Sequence, residues 1–91
     1  MMDLTFGIAS FRSRQQVFRF ETALRREGLN VRVISTPRDV AVGCGLSVQF
    51  DIEDTQAVLS ACDRLRPANL IGIYHVDRRG GGRPKLTAIM K

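Results

Sequence analysis

The chain holds a single histidine, His75, and only two cysteines, Cys44 and Cys62. Without a Cys-x-x-Cys or His-x-x-x-His pair it is short of the three or four ligands that a zinc site takes from one chain, so no metal is expected. One histidine also rules out arguing a Ser-His-Asp or Cys-His-Asn set. His75 falls inside a strand-like run and reads as a satisfied strand residue rather than a base. No apolar run approaches the ~18 residues that cross a bilayer, so no membrane partner is expected. The start, Met1-Met2-Asp3-Leu4, carries no basic stretch followed by an apolar one, and cytoplasmic thiols are normally reduced. A cytoplasmic domain with two free thiols is the expectation. Gly80-Gly81-Gly82 has neither the strand-turn-helix setting nor the Lys-Ser/Thr of a phosphate loop, so no nucleotide or other cofactor is expected.

What is present fits one small domain: 91 residues, 44% apolar and 25% charged. The net charge of +5 is unevenly placed. Residues 1–77 hold nine arginines against nine acidic residues, and the whole excess comes from Arg78, Arg79, Arg83, Lys85 and Lys91. The basic balance therefore describes the C-terminal segment and not a nucleic-acid-binding face.

Leu4 to Ala9 alternates large and small residues as a strand does, with Leu4, Phe6 and Ile8 on one side. Ser13-Arg14-Gln15-Gln16 has the form of a capping box. Val17, Phe20, Ala23 and Leu24 follow at helical spacing, and Gly28 supplies a C-cap, predicting a helix over 13–27. Phe18 lies off its apolar side, toward Phe11 or another subunit. Strands are predicted over 30–35 and 46–50. Asp51 is expected to cap a second helix burying Val58, Ala61, Cys62 and Leu65 and closing near Pro67. A fourth strand covers Leu70 to Val76, apolar enough to sit inside the sheet. The order β-α-β-β-α-β predicts an α+β, ferredoxin-like domain over residues 1–77: a four-stranded antiparallel sheet with two helices on one face. Residues 78–91 read as a basic Gly/Arg tail, either mobile or docked as an added edge strand through Leu86 to Met90.

Cys44 differs from Cys62 in its neighbours. Gly43 and Gly45 leave the backbone bare on both sides of the sulfur, so another molecule can approach the thiol. Cys62 lies at helical spacing with core residues and reads as a small buried hydrophobe. Sulfur or selenium chemistry needs a reachable thiolate. A thiol at the ordinary pKa of about 8.5 is only a few per cent ionised at neutral pH, so a cation or backbone N–H groups would help. Arg38 is the nearest cation in sequence, and the glycine turn offers amides.

The run Ile34-Ser35-Thr36-Pro37-Arg38-Asp39-Val40, then Cys44-Gly45-Leu46-Ser47-Val48-Gln49-Phe50 and later Gly72-Ile73-Tyr74, resembles the small bacterial domains grouped as Putative Se/S carrier protein-like. Phe11-x-Ser13 and Glu21 fit the same pattern, and the resemblance covers about residues 3–77. Ala41, Val42 and Gly43 depart from it, standing where small polar residues are usual, as do Val17 and Phe20 in place of helix alanines. The resemblance implies a sulfur or selenium carrier, without enzymatic turnover of its own, that holds a persulfide or selenosulfide on Cys44 and exchanges it with donor and acceptor proteins. Arg38 would position or support the charge, and Gly43 and Gly45 would give access.

Two alternatives come from other classes. A homodimerising interaction module would use a sheet edge or the open sheet face carrying Arg32, Ile34, Ser47 and Gln49. The basic tail could instead hold nucleic-acid phosphates, although with no aromatic residue to stack on bases it would bind weakly and with steep salt dependence. Asp51, Glu53 and Asp54 are explained by the helix dipole.

Overall fold

The computed structural model describes residues 4–37 and 43–90. Along the chain run β1 (Thr5–Phe11), α1 (Arg14–Arg26), β2 (Val31–Ser35), β3 (Leu46–Phe50), a 3-10 turn (Ile52–Asp54), α2 (Thr55–Leu65), β4 (Leu70–Asp77) and β5 (Lys85–Met90). The strands form one antiparallel sheet in the order β2-β3-β1-β4-β5. No described helix is long and apolar enough to cross a membrane.

β1 is buried from Phe6 onward because it has a strand on each side, and its alternation feeds two cores. Ala9 and Phe11 face the helices, packing with Val48, Phe50 and Ile73 of the sheet, Val17, Phe20 and Leu24 of α1, and Val58, Ala61 and Cys62 of α2. Phe6 and Ile8 turn to the other face, where Val76, Ile34, Tyr74 and Leu86 join them.

α1 ends in a full Schellman arrangement. Gly28 takes φ +83°, its N–H donates to the Arg25 carbonyl, and the Leu29 N–H donates to the Leu24 carbonyl. Its start is less regular: Ser13 occupies the N-cap without a side-chain hydrogen bond, so the capping box of the sequence is not made. Phe11 takes Phe20 as its ring partner, with centroids 5.4 Å apart, while Phe18 stays 50% exposed.

Three further expectations are corrected. Asp51 does not cap the second helix. Its carbonyl accepts the Asp54 N–H in the 3-10 turn, and α2 begins only at Thr55. Leu65, expected inside, is 45% exposed at the last turn of α2. The sheet has five strands instead of four, because Lys85–Met90 pairs along β4 with Asp77 opposite Lys85, Val76 opposite Leu86 and Tyr74 opposite Ala88. The connecting turn is held by Asp77, whose carboxylate accepts the Arg79 backbone N–H at 2.9 Å and its guanidinium at 2.9 and 3.1 Å. Those bonds pull the Asp77 carboxyl down to about 2. Gly81 turns the chain at φ +72°.

Candidate functional site

The site is built where β1 ends and β3 begins. Phe11 is the last residue of β1, and its carbonyl accepts the Cys44 N–H at 3.0 Å. One residue on, the Thr36 N–H donates to the Gly45 carbonyl at 2.9 Å, extending the β2–β3 ladder beyond Ser35 and Leu46. Cys44 is thus pinned by its backbone across the end of the central strand. Both neighbours take left-handed angles, φ +110° at Gly43 and +87° at Gly45, which L side chains adopt only with strain.

The two glycines differ in surroundings. A Cβ on Gly43 would stand 2.6 Å from the Phe11 carbonyl oxygen and 3.0 Å from Ile71 Cδ1, whereas a Cβ on Gly45 would meet nothing within 4 Å. Gly43 seats the loop against the sheet, and the Gly45 side is open. Cys44 itself is half-buried, its side chain lying against the helix-side core. Its Sγ donates to the Leu46 carbonyl at 3.6 Å. The amide of Cys44, which the sequence offered as a charge support, is spent on Phe11. Arg38, the expected cation, lies outside the described residues.

On the opposite face of the same sheet end, three hydroxyls form a chain. Thr36 Oγ1 lies 2.7 Å from Ser47 Oγ, which lies 3.1 Å from Ser10 Oγ; Ser10 and Ser47 are fully buried. This chain ties both ends of the Cys44 loop to β1. Alternation alone puts Ser47 on the open face, but joining it to Ser10 requires the register of two strands that are 37 residues apart.

Cys62 shows what the other thiol can do. It is 5% exposed on α2, and burial pushes its pKa up to about 11 from an ordinary 9.0, keeping it protonated and inert at neutral pH. Both cysteines are free thiols. His75 is engaged elsewhere. Thr55 Oγ1 donates to the Ile52 carbonyl at 2.6 Å, so its hydroxyl accepts from His75 Nε2 at 2.9 Å, tying β4 to the start of α2. His75 pairs with Gly7, four residues back along β1 from Phe11 and roughly 13 Å away at the rise of a strand. No three His, Cys, Asp or Glu side chains come together among the described residues to hold a metal. The basic segment is partly spent within the fold, since Arg79 is bonded to Asp77 and the Arg78 guanidinium sits 5.7 Å from the Phe6 ring centroid.

The family model Putative Se/S carrier protein-like matches residues 6–69, well over half of the chain, from β1 through α2 and across the whole Cys44 loop. The chain belongs to this family. The family's name likens its members to selenium or sulfur carrier proteins. Nothing matches among curated proteins or among solved structures.

Proposed function

We propose that this Se/S carrier-like chain holds sulfur or selenium on Cys44. The observation that carries the reading is the contrast between its two thiols. Cys44 stands at a sheet end beside an open glycine flank, on a backbone fixed by two hydrogen bonds. Cys62 is closed off in the core with its proton held by burial. Loading is a thiol exchange. The Cys44 thiol loses its proton and attacks the outer sulfur of a donor persulfide; an S–S bond forms at Sγ as the donor's own S–S bond breaks. The donor leaves as a thiolate with the electron pair and takes up the proton, so the products are the Cys44 persulfide and the donor thiol. The same exchange with selenium as the outer atom gives a selenosulfide, and an acceptor thiolate reverses it. Arg38 is retained as the charge support, on its sequence position six residues before the sulfur. A reducing, cytoplasmic setting is supported by the two free thiols. A ferredoxin-like arrangement of the first four strands and two helices is supported by the order β2-β3-β1-β4.

The test is loading by glutathione persulfide followed by release of the outer sulfur as thiocyanate with cyanide. Cys62→Ser should release as much as the unaltered chain, and Cys44→Ser almost none. Equal release from Cys44→Ser would remove the reading.

A further inference from the structure

We propose that the outer face of α1 docks an acidic protein surface, and that this surface belongs to the donor or acceptor serving Cys44; the second half rests on the carrier reading above, the first does not. α1 carries four arginines and one glutamate over Arg14–Arg26, with Val17, Phe20 and Leu24 turned into the core. The opposite side presents Arg14, Phe18, Thr22 and Arg26 four residues apart, with Arg19 beside them, all exposed. Both acidic residues near the stripe are taken by other arginines: Glu21 pairs with Arg25, and Glu27 with Arg64 at 2.7 Å. Among the described residues, Arg14, Arg19 and Arg26 pair with no carboxylate.

Three features mark this face as more than solvated surface. Phe18 is 50% exposed on a shallow depression lined by Gln15, Arg19, Thr22, Ala23 and Arg26, an aromatic anchor flanked by two guanidiniums. Arg14 stands in the first turn, which holds no acidic residue, where the helix dipole disfavours a cation; the helix gives up stability to keep it there. Finally, Arg14 follows three residues after Phe11, whose carbonyl holds Cys44, so the start of the stripe and the thiol share one end of the molecule.

The charge selects the occupant. A second copy would set like-charged stripes against each other. A nucleic-acid backbone calls for a continuous basic track, but here three free cations are spread over about 18 Å of helix and end at the Glu27–Arg64 pair. Separated guanidiniums around one aromatic ring suit carboxylates flanking an apolar side chain, which arginine grips two-pronged.

The experiment is an amide-shift titration of the full Cys44→Ser chain at low salt with a short synthetic peptide of alternating glutamate and leucine. Because that variant has no Cys44 thiol, the outcome is independent of whether Cys44 carries sulfur. Shifts should cluster on residues 14–26, and Phe18→Ser or the pair Arg19→Glu and Arg26→Glu should each weaken binding about tenfold, with the unperturbed remainder of the spectrum showing that the fold is intact. A single-stranded oligonucleotide and anionic vesicles, run in parallel, should leave α1 unshifted at the same concentration. Shifts elsewhere, no shifts up to millimolar peptide, binding unaffected by these variants, or preferential seating of the oligonucleotide or vesicle on α1 would each overturn the proposal.

Discussion

Gly43 and Gly45 look equivalent in the sequence and are not equivalent in the fold. Alanine at Gly45 meets only the strain of its positive φ, costing about 1–2 kcal/mol. Alanine at Gly43 adds a collision with the Phe11 carbonyl that the sheet end cannot relieve, for a total of about 3 kcal/mol or more. Urea denaturation of the two variants checks this, and equal midpoints would contradict the seating of the loop on β1. Cys62 makes a prediction of its own. Its thiol gives up its proton near 9 in the unfolded chain and near 11 in the folded one. Between those pH values the folded state binds more protons, so stability falls as pH rises, by about 2–3 kcal/mol across the window. Cys62→Ala should lack that alkaline decline; a parallel decline in the variant would assign it to other groups. The difference between the thiols was legible from neighbours alone, glycines at one and helical spacing at the other. The Leu46 carbonyl on Cys44 Sγ was not, because a contact two residues away depends on a loop angle that composition does not encode.

The best-read elements were those with strong local signals: α1 from its apolar spacing and Gly28, and β2 and β3 from their alternation. The start of α2 is ambiguous in the sequence because three acidic residues suit a helix beginning at Ile52 as well as one at Thr55, and a 3-10 turn comes between. Leu65 keeps the helical spacing of the core residues but is the last residue of α2, where spacing no longer ensures cover. In the sequence alone, residues 78–91 fit a mobile tail as well as an added edge strand. Lys85 and Ala88 are weak strand formers, and the segment gains its place by pairing with β4 and setting Leu86 on Val76. Hydrogen exchange tests this directly. Backbone amides of Lys85–Met90 bonded to β4 should exchange far more slowly than those of Gly80–Gly82, whereas equally rapid loss along the whole segment would restore the mobile tail.

In the whole molecule, both thiols belong to the same side of the sheet. The helix-side core encloses Cys62 and is lined by the half-buried Cys44, and the second core on the reverse face is closed by β5. A chain with one guarded and one approachable thiol should take up sulfur at a single place while folded and at two once unfolded. Peptide-resolved mass spectrometry of the unaltered chain after brief exposure to a persulfide donor, with and without denaturant, reads both states. The added sulfur should sit on the Cys44 peptide alone under native conditions and on both cysteine peptides in denaturant. Native labelling of Cys62 as fast as Cys44, or labelling of neither, would contradict the account.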